Sequence, residues 1–219
     1  MEAPQTSAAA TQLKPEHYAF GNEIHRSAGG SVYLARHRPT RTHVVLKERL
    51  RPELGKNALL HHELELYQKV PQHPSLVKCL GHFHRGGDAR AAGRASTGAA
   101  SSRHSLVMVF EYCSGGDLHT LLQKQRASGR YLSQRRVLTL FTQVAAGVRH
   151  LHAHSVVHRD LKSLNVVLAP VDCADGGFNV SAKICDLGVS RAKAEDDLYL
   201  QTFCGTPAYL SPELIGSQP

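Results

Sequence analysis

Asp160, Lys162 and Asn165 set a carboxylate, an ammonium and a carboxamide close together in the run His158-Arg159-Asp160-Leu161-Lys162-Ser163-Leu164-Asn165. Twenty-one residues after the asparagine comes a second carboxylate, in Asp186-Leu187-Gly188. A carboxylate can orient a hydroxyl and accept its proton. An ammonium can counter charge as a bond to a leaving oxygen lengthens, and amide and carboxylate oxygens are hard ligands suited to Mg²⁺. The set fits phosphoryl transfer, in which a protein mostly positions reactants and neutralises charge. Apolar flanks, Val156-Val157 before and Val166-Val167-Leu168 after, argue against a chance cluster on a surface turn.

Such a loop must be held by regular elements, and the chain offers them in order. Thr42-His43-Val44-Val45-Leu46-Lys47 reads as a β-branched strand ending in a lysine. Residues from Leu59 to Val70 have helical character, with Leu59, Leu60, Leu66 and Val70 as inward positions. Leu106-Val107-Met108-Val109-Phe110-Glu111-Tyr112-Cys113 is an apolar strand running into the turn Ser114-Gly115-Gly116-Asp117-Leu118. Ser133 is suited to cap a helix. After it Val137, Leu140, Phe141, Val144, Val148 and Leu151 recur at three- and four-residue spacing, which predicts a helix with those six residues as its core face.

Taken together these segments resemble the eukaryotic protein kinases of the serine/threonine type. The resemblance implies an α+β, two-lobed fold: an N-lobe of antiparallel sheet plus one helix at about 18–112, and a mostly helical C-lobe from about 113. Residues 1–17 are expected to form a disordered lead. Asp160 would orient the substrate hydroxyl and accept its proton, Lys162 would sit against the γ-phosphate, and Asn165 and Asp186 would hold Mg²⁺, with Mn²⁺ as a substitute. Lys47 would pair the α- and β-phosphates of ATP. Its carboxylate partner, counted back from His73-Pro74-Ser75-Leu76-Val77, is Glu63 if Pro71-Gln72 carries one extra residue; without it the register falls on Leu64, and Glu65 is the other choice. Phe110 would be the gatekeeper, Glu111 and Cys113 would present backbone groups to adenine, and Asp117 would lie near the ribose. Ile24, Gly30, Val32, Val45 and Val167 complete the implied nucleotide contacts.

The end of the chain separates substrate classes. Gly205-Thr206-Pro207-Ala208-Tyr209-Leu210-Ser211-Pro212-Glu213 resembles the end of a kinase activation segment, and Gly-Thr-Pro together with Lys162 is typical of serine/threonine enzymes. Thr206 would hydrogen-bond with Asp160 and Lys162. Thr202 occupies a position commonly phosphorylated, and Arg159 could receive that phosphate, so an activating kinase or scaffold is an implied partner beside ATP and a protein bearing Ser or Thr. The combined motifs look most like the NIMA-related branch.

Departures from the pattern support an alternative, a pseudokinase-like scaffold or inactive truncated fragment with weak or no nucleotide binding, which the intact Lys47, Asp160, Asn165 and Asp186 oppose. In His25-Arg26-Ser27-Ala28-Gly29-Gly30-Ser31-Val32 only Gly30 keeps its place in the glycine-rich loop, with His25 and Ser27 in place of the first two glycines. Val45 is larger than the usual alanine, and Leu187 replaces a phenylalanine. The resemblance also spans only about the first two-thirds of such a domain.

Composition narrows the remaining classes. The 219 residues are 42% hydrophobic, enough to bury a core, and no apolar run reaches membrane-spanning length. A net charge of +8 comes from dispersed Arg and Lys without aromatic interleaving, which does not suggest a nucleic-acid surface. His150, His152, His154 and His158 do not share one helix face as zinc ligands would. Five cysteines without paired spacing and the absence of a secretory leader point to an intracellular, cytoplasmic setting. Residues 86–105 and 169–181 read as insertions into hairpin loops.

Overall fold

A computed structural model describes residues 12–27, 30–50, 57–86, 105–171, 180–188, 190–192, 206–212 and 215. They divide into two compact units. One runs through Leu64 and resumes over Cys79–Tyr112; the other takes Glu65–Lys78 and continues from Cys113.

Among the described residues, the first unit is a five-stranded antiparallel sheet in the order β1-β2-β3-β5-β4. Its strands are β1 Tyr18–Ser27, β2 Gly30–His37, β3 His43–Leu50, β4 Cys79–Arg85 and β5 Ser105–Glu111. Alternation gives each strand two faces. Val44 and Leu46 of β3 and Val107 and Val109 of β5 join Tyr18, Ala35 and Phe83 in one buried cluster, where Tyr18 and Phe83 stack with centroids 5.4 Å apart. Leu106, Met108 and Phe110 point to the opposite face and are buried as well. That two-sided burial explains why β5 is a continuous apolar run. Residues 12–17, expected as part of a disordered lead, have a place here: Leu13 donates its N–H to the His82 carbonyl and packs on the cluster, and Pro15–His17 form a 3-10 turn. An apolar residue that can cover an edge strand has a reason to stay there.

Helix α1 spans Asn57–Lys69. Of its anticipated inward residues Leu66 and Val70 are buried, while the side chains of Leu59 and Leu60 lie outside the described residues. In the second unit Leu66, Val70, Leu76, Leu151, Val156, Ile184 and Leu187 form one cluster, so the leucine at position 187 is a core residue. Helix α2, Leu118–Ala127, and helix α3, Gln134–Ala153, flank short strands β6 Val156–Val157, β7 Val166–Pro170, β8 Val180–Ile184 and β9 Arg191–Ala192. β7 pairs antiparallel with β8 and β6 with β9. The tips of both anticipated insertions, 87–104 and 172–179, lie outside the described residues.

Ser133 caps α3 by accepting from the Arg136 N–H. Leu140 and Leu151 are buried and Val144 and Val148 partly so, but Val137 is 48% and Phe141 68% exposed. The core face is therefore narrower than the spacing predicted. Periodicity identifies a stripe capable of burial; among the described residues nothing covers Val137 and Phe141. Gly147 shows how closely α3 approaches its neighbours: a Cβ there would lie 2.9 Å from both Ile184 Cδ1 and the Ser75 carbonyl oxygen.

Candidate active site

The polar loop leaves β6 and ends in a 3-10 turn, Ser163–Asn165, that leads into β7. His158 ties it down from within. Its Nε2 lies 3.1 Å from the Cys185 carbonyl and its Nδ1 accepts from the Asp160 N–H at 3.3 Å, which sets the tautomer with the proton on Nε2. Burial holds the His158 pKa below its ordinary value, favouring that neutral form, although the Cys185 hydrogen bond pulls the other way. Fully buried Ser190 donates to the His158 carbonyl oxygen at 3.0 Å.

Asp160 is the centre of the resulting network. Lys162 Nζ lies 2.7 Å from Asp160 Oδ2 and 2.6 Å from Thr206 Oγ1. Thr206 donates both its N–H, at 2.9 Å, and its hydroxyl, at 2.7 Å, to Asp160 Oδ1. Asn165 Nδ2 donates to the Asp160 carbonyl oxygen at 2.8 Å and to Oδ2 at 3.1 Å, directing the amide oxygen elsewhere. Partial burial pushes the Asp160 pKa up, but hydrogen bonds from Lys162 and Thr206 and the Lys162 charge outweigh it, and the carboxyl stays below its usual range. Asp160 is thus held in its ionised form. Arg159 and Asp186 have left-handed backbone, φ 64° and 65°, uncommon for residues other than glycine. Asp186 Oδ1 accepts from the Gly188 N–H at 3.0 Å, bending that segment into a tight turn. Thr202 lies outside the described residues.

In the sheet unit, Lys47 Nζ lies 2.6 Å from Glu63 Oε1, and the Glu63 side chain is only 3% exposed. Leu64 is buried and Glu65 exposed, so the register is the one with the extra residue at Pro71-Gln72. Val32 pairs with Lys47, and Val45 with Phe110, placing these four residues on one face of the sheet. Gly30 begins β2 with φ 151°, where a Cβ would meet the Glu48 carbonyl oxygen at 2.0 Å; only glycine fits. Ile24 is 55% exposed. His25 and Ser27 are strand residues paired with Val32 and Gly30.

Glu111 is half-buried and Cys113 buried. Asp117 is the N-cap of α2: its oxygens accept from the Thr120 N–H at 2.7 Å and the Thr120 hydroxyl at 2.8 Å. Val167 forms a bridge with Asp117. Three residues without a role assigned from sequence prove to organise the site: His158, Ser190 and Arg49, whose Nη2 lies 3.2 Å from Glu63 Oε2. Only His158 had a signal, its place in the motif.

The profile of the protein kinase domain family matches residues 18–219. The chain belongs to the protein kinase domain family. Among its curated relatives, serine/threonine-protein kinase Nek5 of Mus musculus is 32% identical over 193 residues, covering 87% of this chain and 26% of the relative. A probable myosin light chain kinase of Dictyostelium discoideum is 31% identical over 202 residues, covering 92% of this chain and 55% of the relative. Serine/threonine-protein kinase Nek4 of Mus musculus is 29% identical over 204 residues, covering 92% and 22%. The kinase domain thus has NIMA-related proteins among its relatives, and it spans from about a fifth to about half of their length. No helix among the described residues is long and apolar enough to cross a membrane.

Proposed function

We propose that this kinase domain transfers the γ-phosphate of ATP to serine or threonine hydroxyls of proteins. The observation that carries the reading is the Asp160–Lys162–Asn165–Thr206 network, which keeps a base ionised beside a cation. In the proposed mechanism Asp160 orients the incoming hydroxyl and receives its proton. The Lys162 ammonium, already within 2.7 Å of that carboxylate, counters charge on the phosphoryl oxygens. Thr206, packed against both groups, favours a small aliphatic hydroxyl over a bulky ring. Lys47 holds the α- and β-phosphates, and the backbone around Glu111 and Cys113 receives adenine.

The donor set also suits Mg²⁺: Asn165 turns its Nδ2 toward Asp160, which leaves Oδ1 for a cation, and Asp186 supplies a carboxylate. Held by these residues, the ion would supply positive charge that neutralises phosphate oxygens. Arg159 is the receiver we assign to a phosphate on Thr202, added by an activating kinase.

Thermal unfolding with and without MgATP tests the reading. A rise in midpoint that disappears in Asp186→Ala supports it, and radiolabel transfer to a generic Ser/Thr substrate then follows. A folded wild-type chain that MgATP does not stabilise refutes it.

A further inference from the structure

Glu63 is held by two cations. Lys47 Nζ takes Oε1 at 2.6 Å and Arg49 Nη2 takes Oε2 at 3.2 Å. Both come from β3, two residues apart, so their side chains leave the same face. Glu48, between them, points the other way and accepts from the Ser105 hydroxyl at 2.7 Å. One carboxylate therefore faces two positive charges. The carboxylate is nearly fully buried, and a buried carboxylate that loses its only cation is strongly destabilised.

We infer that Arg49 is a positioning residue, which helps keep Glu63 and helix α1 fixed on β3 so that the Lys47 ammonium can meet an anionic phosphate while it stays paired with Glu63. The inference rests on the nucleotide role given above to Lys47. With Arg49 in place, the second oxygen of Glu63 has a cation of its own. Without it, Lys47 alone must both fix Glu63 and meet the phosphate. The planar guanidinium suits this work because it stays charged and offers several donors in a fixed fork. Arg49 pairs in register with Gly30, so the clamp also lies across from the first residue of β2, where the backbone tolerates no side chain.

The test uses the full 219-residue chain. Unfolding midpoints without nucleotide are measured for wild type, Arg49→Gln, Glu63→Gln and the double variant. MgATP affinity is then measured for wild type, Arg49→Gln and Arg49→Lys. We expect Arg49→Gln to cost little further stability once Glu63 is already glutamine, because residues in direct contact are non-additive. We also expect MgATP to bind Arg49→Gln about tenfold more weakly, with most of the loss restored by Arg49→Lys. Additive stability losses would overturn the clamp. Unchanged MgATP affinity in Arg49→Gln, beside a wild type that binds, would reduce Arg49 to a structural residue and overturn the positioning role. A wild type that takes no MgATP brings down the kinase reading and the nucleotide role together, while the nucleotide-free cycle still decides whether the clamp exists.

Discussion

Glu63 and Asp160 are both carboxylates holding a lysine, at 2.6 and 2.7 Å, yet they are built in opposite ways. The Glu63 side chain is 3% exposed and accepts from two cations on a strand. Its bonds connect an element of the sheet to a helix, and its surroundings are those of a core. Asp160 is 14% exposed in its side chain and sits on a loop with its partners Lys162 and Asn165 only two and five residues away. Hydrogen bonds within the loop, with Thr206 closing it from outside, do the positioning. The contrast separates two kinds of charge: one whose removal should be felt by the fold, and one whose removal should be felt by the reaction.

The largest expected effect sharpens this contrast on the catalytic side. Asp160→Asn keeps the size of the side chain and part of its hydrogen bonding but removes the base. We expect phosphotransfer to fall by about 10²–10⁴-fold, the usual share of a positioned general base. Steady-state kinetics should place the loss in kcat, with KM for ATP little changed, and the unfolding midpoint should stay near that of wild type. A large loss of stability instead would erase the distinction between the two carboxylates.

Glu63→Ala probes the other side. It leaves Lys47 and Arg49 facing each other without their shared anion. Removal of one member of a buried ion pair typically costs about 3–5 kcal/mol, and since both cations keep some contact with solvent we expect somewhat less, about 2–3 kcal/mol. Urea denaturation measures it. A cost below about 0.5 kcal/mol, within the range of ordinary surface substitutions, would show that the clamp contributes nothing to the fold.

The smallest effect is on pH dependence. His158 has a pKa below its ordinary 6.5, chiefly through burial, so the unfolded chain binds its proton more readily than the folded one. The sign follows: stability from this residue is complete above the unfolded pKa and is lost as pH falls through that value toward the folded pKa. His73 is lowered in the same direction by burial and by the charges of His150 and Arg149, and adds to the same slope. Asp160, also lowered, acts only at more acidic pH, near and below its ordinary 3.8. Unfolding midpoints followed downward from pH 7.5 should decline below about pH 6.5, the ordinary imidazole value, and His158→Asn should flatten part of that decline. An unchanged slope in the variant would assign the dependence elsewhere.

Much of the site was legible in the sequence because it is local. The loop proposed as catalytic has Asp160, Lys162 and Asn165 within a few residues, and chain connectivity alone keeps them close. Strand β3 and the capped start of α3 were readable for the same reason, since alternation and an N-cap serine are short-range signals. Legibility faded where a choice depended on packing. Glu63, Leu64 and Glu65 are consecutive, and only the rotation of α1 against β3 selects which side chain reaches Lys47. Val137 and Phe141 carry the right periodicity for a core face but remain exposed, because periodicity reports the capacity to be buried and not the presence of a covering surface. Asp117, which the resemblance places near the ribose, also caps α2 through Thr120.

The sequence by itself determined which groups the proposed chemistry can draw on: the carboxylates of Asp160 and Asp186, the Lys162 ammonium, the Asn165 amide and the order in which strands and helices present them. Covalent order fixes which groups are available and how far apart along the chain they can be. Only the tertiary structure decided that Thr206 closes on Asp160 from forty-six residues away, that Ser190 and Cys185 fasten the loop through His158, and that Arg49 shares Glu63 with Lys47. Those contacts join segments whose approach is set by the burial of apolar faces, a property of the whole chain that no short window of sequence contains.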